Sequence, residues 1–180
     1  MIDEKIIFAG FGGQGVMLMG QLITYAGMFE DKEVSWLPSY GPEMRGGTAN
    51  CNVIVSDKPV ASPIIAYNAT TVVAMNLPSL DKFEEEVLPN GLLMINSSLI
   101  EKKVSRDDVK AYYVPANEVA LELGNVKAAN MVMLGAYLEL TKIVKPESVI
   151  KALTKIFGEK KAHLISLNEE ALKKGAELVK

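Results

Sequence analysis

One run of ten residues limits what this chain can fold into: Ile6-Ile7-Phe8-Ala9-Gly10-Phe11-Gly12-Gly13-Gln14-Gly15, followed at once by Val16-Met17-Leu18-Met19. The apolar run reads as a buried parallel strand, the glycines as a tight turn, and the apolar stretch after them as a helix. Gly10, Gly12 and Gly15 satisfy G-x-G-x-x-G, and Gly13 adds a further position without a Cβ. Such a turn lets backbone N–H groups and a helix N-terminus approach a phosphate or another anion. The same glycines suit a turn that merely packs helix on strand, and both readings stand at this point.

Further strand-like runs follow: Glu33 to Leu37, Cys51 to Val55, Thr70 to Met75, Leu92 to Ile95 after the turn Pro89-Asn90-Gly91, and Lys110 to Val114. Ser79 to Val87 reads as a short acidic helix. Val126 to Val144 is apolar nearly all round and predicts a buried helix. Pro146 suits the first position of the next helix, which Gly158 ends. Ser166-Leu167-Asn168-Glu169 reads as a capping box before a last helix reaching toward Val179. The expected fold is a Rossmann-like, doubly wound, mostly parallel sheet with helices on both faces and a helical C-terminal third. No repeat or linker interrupts it, so residues 1–180 are read as a single domain.

Composition excludes several functions. A net charge of −3 offers no basic footprint for nucleic acid. The single Cys51 rules out an internal disulfide or a cluster ligated within the chain, and the single His163 leaves zinc and haem almost without ligands. No metal site is assigned. No secretory signal or long apolar run is visible, so a cytoplasmic location away from membranes is expected.

In open α/β sheets ligands lie beyond the carboxyl ends of the strands, where strand order reverses. This chain places there Gly10 to Gly15, then Tyr40 to Gly47, Asn76, Asn96 to Ser98, and Pro115 with Asn117. That rim offers many hydrogen bonds but no nucleophile–base pair, so no catalytic residue is assigned. The candidates for cofactor binding are Gly10, Gly12, Gly13, Gln14, Gly15, Asn76, Asn96 and Ser97. The loop carrying Tyr40, Glu43, Arg45, Gly46 and Gly47 is the other candidate, for a partner or the active-site region. Arg45 could clamp a carboxylate or phosphate and Glu43 could orient it; a solvated surface turn is the alternative. Cys51, His163 and Trp36 read as packing or surface residues, and Asn130 could face either the core or the rim. A stand-alone nicotinamide dehydrogenase is disfavoured, because the second strand ends in Pro38, Ser39 and Tyr40 where an acidic ribose ligand belongs.

The glycine turn combined with Val34-Ser35-Trp36-Leu37-Pro38-Ser39-Tyr40-Gly41-Pro42-Glu43-Met44-Arg45-Gly46-Gly47-Thr48-Ala49-Asn50-Cys51 resembles the gamma subunit of the 2-oxoacid:ferredoxin oxidoreductases, in particular the 2-oxoglutarate or 2-oxoisovalerate type. Ala74-Met75-Asn76, Asn96-Ser97-Ser98 and Asn130-Met131-Val132 carry the likeness through the chain. The resemblance implies a non-thiamine subunit, inactive alone, of an enzyme that converts a 2-oxoacid, coenzyme A and oxidised ferredoxin to acyl-CoA, CO2 and reduced ferredoxin. It implies alpha and beta subunits that hold thiamine diphosphate, a ferredoxin-like delta subunit, and [4Fe–4S] clusters outside this chain. Coenzyme A would meet Gly12 to Gly15, and 2-oxoglutarate is the favoured substrate. A purely structural assembly subunit without a ligand is the remaining alternative.

Overall fold

A computed structural model describes residues 2–40 and 48–180, with only the backbone of Tyr40. The glycine-containing decapeptide folds as read: strand β1 (Asp3–Phe11) ends in the turn, and helix α1 (Val16–Phe29) begins directly after it. The remaining strands are β2 (Glu33–Tyr40), β3 (Thr48–Ser56), β4 (Ala69–Ala74), β5 (Val87–Asn96) and β6 (Lys110–Val114). They form one sheet in the order β2-β3-β1-β4-β5-β6. β1, β4, β5 and β6 pair in parallel, whereas β3 runs antiparallel to both β1 and β2. The reversal follows from chain length: residues 41–47 between β2 and β3 are too few for a crossover, so the two strands form a hairpin. β2 continues through Pro38 to Tyr40 because it lies at the sheet's edge, where a missing N–H is tolerated.

The helices are α2 (Leu77–Phe83), α3 (Ala116–Glu122), α4 (Ala129–Thr141), α5 (Pro146–Phe157) and α6 (Ile165–Glu177). Alternation along β1 sends Ile6 and Phe8 to one face of the sheet and Ile7 and Ala9 to the other. Helices α1 and α3 to α6 contribute to the first core; α2 and two coil segments cover the second. α4 is buried on nearly every side, as its composition predicts. It crosses α6 so closely that a Cβ on Gly135 would run into the Leu172 carbonyl, and one on Gly175 into that of Val132.

Three local expectations are corrected. Pro89-Asn90-Gly91 lies inside β5 as a bulge, not before it: between Ala69 and Thr71 of β4 the partner advances from Val87 to Leu92. Asn90 takes the left-handed conformation there, so the turn chemistry is expressed within a strand. The acidic segment is split, with α2 ending at Phe83 and a short 3-10 turn over Glu84–Glu86 leading into β5. Ser166 caps nothing: a 3-10 turn over Glu159–Leu164 feeds straight into α6, so the chain is already helical before Ser166. Helix α3 went unread in the sequence.

Candidate functional site

The connection from β1 leads toward β2 and that from β4 toward β5, so the crevice between their carboxyl ends is the switch point of the sheet. The β1–β4 ladder closes at Ala9 and Ala74, with Met75 N–H donating to the Ala9 carbonyl at 2.8 Å. Beyond it β4 turns into α2 while β1 continues two residues further beside β3, which opens the gap.

Gln14 spans that gap. Its Oε1 accepts from Phe11 N–H at 2.6 Å and from Asn76 Nδ2 at 3.2 Å, and its Nε2 donates to the Met75 carbonyl at 3.2 Å. Asn76 Oδ1 in turn accepts from Ser79 N–H at 2.9 Å and caps α2. Asn96, fully buried at the end of β5, donates through Nδ2 to the same Met75 carbonyl at 3.3 Å and to Asn117 Oδ1 at 2.8 Å. Its Oδ1 has no partner among the described residues. Ser98 Oγ accepts from Asn117 and Glu118 N–H, both at 3.2 Å, and so caps α3. Asn130 resolves toward the rim: its Nδ2 donates to the Gly15 carbonyl at 3.3 Å. Ser97 continues the same edge, with its N–H on the Val114 carbonyl at 2.9 Å. A chain of carboxamides therefore ties the ends of β1, β4 and β5 to three helices.

The glycines of the turn divide by role. A Cβ on Gly10 would stand 2.7 Å from Gln14 Oε1, and one on Gly15 would collide with the Asn130 carboxamide, so packing inside the protein accounts for both. Gly12 and Gly13 form the exposed tip, Gly13 at a φ of +96 with nothing within 4 Å of an added Cβ. The N–H groups of Gly12, Gly13 and Gly15 donate to no partner among the described residues, and α1 has no side-chain cap. The described rim thus offers unpartnered N–H donors at the positive end of a helix of 14 residues.

Glu43, Arg45, Gly46 and Gly47 lie outside the described residues, as does the side chain of Tyr40. The flanks of their loop are placed, however: Thr48 pairs with Phe11, and Ala49 with both Gly10 and Tyr40. Both flanks, Tyr40 and Thr48, therefore stand at the end of the sheet that carries the glycine turn. Cys51 lies beneath α1, its Sγ donating to the Val16 carbonyl at 3.5 Å. Burial pushes its thiol up to about 12, against weaker opposing contributions from the Trp36 and Gly20 N–H groups. His163 is exposed. A concavity of about 580 Å³ lies away from the rim between α4, α5 and α6, with Leu138, Ile150 and Leu172 among its walls and the ion pairs Lys142–Glu139 and Lys173–Glu169 in its lining.

Residues 5–178 match the family described as pyruvate ferredoxin/flavodoxin oxidoreductase. The chain is 38% identical to the ketoisovalerate oxidoreductase subunit VorA of Methanothermobacter thermautotrophicus over 97% of its own length and 36% of the relative's. It thus spans about a third of that relative. It is 34% identical to the 2-oxoglutarate synthase subunit KorC of Methanocaldococcus jannaschii, covering 83% of this chain and 81% of that one. Among solved structures, the gamma subunit of the keto/oxoacid ferredoxin oxidoreductase of Geobacter sulfurreducens PCA superposes with a TM-score of 0.82 at 29% identity, over 98% of both chains. The 2-oxoglutarate:ferredoxin oxidoreductase of Magnetococcus marinus, solved with 2-oxoglutarate, coenzyme A and succinyl-CoA bound, gives 0.89 at 25% identity over 99% of this chain and 31% of that one.

Proposed function

The chain belongs to the pyruvate ferredoxin/flavodoxin oxidoreductase family, and from that premise we propose that it is the gamma, non-thiamine subunit of a 2-oxoacid:ferredoxin oxidoreductase, inactive alone. In this reading the complex oxidatively decarboxylates a 2-oxoacid with coenzyme A and passes the electrons to ferredoxin in the cytoplasm. Thiamine diphosphate sits in alpha and beta partners, and the clusters in partner chains that include a ferredoxin-like delta subunit. The one thiol here suits no cluster, since Cys51 is buried and holds its proton. 2-Oxoglutarate is the first choice of substrate and 2-oxoisovalerate the second, with the choice made where substrate meets thiamine.

This chain's own part is to receive a phosphate-bearing portion of coenzyme A. The observation that carries it is the exposed Gly12–Gly13 tip with its unpartnered N–H groups at the start of α1, which no side chain caps. The dipole contributes about 1 kcal/mol, so affinity for coenzyme A arises mostly in the assembled complex. There the loop bearing Glu43 and Arg45 would project from the same end of the sheet toward the thiamine-bearing subunits.

Titration of the assembled complex with coenzyme A tests this. Gly13→Asp puts a like charge where the phosphate would sit and should weaken binding tenfold or more, with assembly checked by gel filtration. Unchanged affinity in an intact complex would return the turn to a packing role and favour a purely structural subunit.

A further inference from the structure

We infer that Gln14 is the positioning residue of the glycine turn: it fixes the direction of the exposed N–H groups without touching what they bind. The inference rests on the reading of the turn given above and adds to it the group that shapes the site.

Gln14 behaves as a substitute rung of the sheet. Where the β1–β4 ladder stops, at Ala9 and Ala74, its carboxamide accepts the next N–H of β1, from Phe11, and donates to the next carbonyl of β4, from Met75. A peptide unit inserted between the strands would present the same acceptor and donor. The turn is thereby clamped at its base, while a second short contact, Gln14 N–H to the Phe11 carbonyl at 3.1 Å, closes it from within. Gly10 is small because a Cβ would press on Gln14 Oε1 at 2.7 Å, so one glycine of the motif makes room for the clamp, not for a ligand. Asn76 holds the clamp from the far side through its Nδ2, and both carboxamide ends of Gln14 are occupied. Little of that side chain is left to offer a visitor. What it governs is the orientation of Gly12, Gly13 and Gly15.

The test is a mutant cycle read as coenzyme A affinity in the assembled complex, with Gly13→Asp as the control for the underlying reading. Gln14→Ala removes the clamp. Asn76→Asp keeps the acceptor for Ser79 N–H but loses the Nδ2 donor that holds Gln14. The expected result is about a tenfold loss for Gln14→Ala, a smaller loss for Asn76→Asp, and a double variant no weaker than Gln14→Ala alone, because the two act through one another. Losses that multiply would make Gln14 a direct ligand and overturn the inference. So would full affinity in Gln14→Ala while Gly13→Asp binds poorly, an outcome that leaves the turn's anion-binding role standing. Full affinity in Gly13→Asp removes that role and the inference together. If Gln14→Ala does not assemble, Gln14→Glu serves: it keeps the acceptor for Phe11 N–H, sets an oxygen against the Met75 carbonyl, and should lose affinity part-way. Wild-type affinity there overturns the inference.

Discussion

The face of the sheet beneath α1, α4 and α6 is dry, whereas the face beneath α2 is tied down by polar staples. On the first, Phe8, Met19, Met94 and Tyr137 are fully buried, Phe8 and Tyr137 meet edge to face at 6.0 Å, and α4 and α6 touch backbone to backbone. The polar link from α4 to the sheet, Tyr137 and Thr71 donating to Glu4 Oε1, sits at the lower edge. On the second face, coil 97–109 replaces a helix between β5 and β6. Its backbone is secured by Glu84, which accepts from Ser105 N–H and Oγ, and by Arg106, which donates to the Glu84 and Val87 carbonyls. Helices bring their own hydrogen bonds and need only apolar area to stick; coil laid on a sheet must have its polar groups met by side chains.

That contrast breaks most easily at Gly175. Valine there would drive its Cβ into the Val132 carbonyl, and the two helices would have to part. The expected cost exceeds about 3 kcal/mol. Thermal unfolding followed by circular dichroism should fall by about 10 °C in a chain of this size. An unchanged midpoint would mean the dry face is far softer than its packing.

Glu84→Ala probes the other face. It leaves Ser105 N–H without its acceptor in a half-buried setting and should cost about 2 kcal/mol. Amide exchange should quicken over 97–109 and the neighbouring edge strand β6, and hardly at all in α4. Uniform quickening over both faces would erase the distinction between them.

How much of this was legible beforehand differs between the two faces and the rim. The β1–turn–α1 unit, α4 and the Pro146 and Gly158 ends of α5 are set by local pattern, and they stand where the residues put them. The reversed β3 could not be read from its own residues, because strand direction was decided by the shortness of 41–47. Helix α3 was hidden by its brevity, and its cap comes from Ser98, which no local window contains. At the rim the motif marks the turn between β1 and α1 but not the division of labour within it. Gly10 and Gly15 answer to Gln14 and Asn130, partners brought in by the turn's own fold and by a helix 115 residues away. The Met75 carbonyl, on which Gln14 and Asn96 converge, leaves no trace in side-chain sequence at all.

The dryness of the α1 face also has a pH signature, carried by Cys51. Burial raises its thiol from the ordinary 9.0 to about 12. The folded chain therefore keeps a proton that the unfolded chain releases. Below about pH 9 both states are protonated and the stabilisation is whole; between about 9 and about 12 it drains away as the unfolded state ionises first. By pH 10 the loss from this group is about 1.4 kcal/mol. Tyr137, whose buried hydroxyl is also raised well above 10.0, adds a loss of the same sign that begins as the unfolded phenol ionises near pH 10, so the thiol is isolated by the difference between the parent and a Cys51 variant in urea unfolding at pH 8 and pH 10. Cys51→Ala should be less stable at pH 8, because it leaves a void under Val16, yet lose less between the two pH values than the parent. Equal losses in both proteins would show that water reaches the sulfur in the folded state, and the α1 face would then be no drier than the one beneath α2.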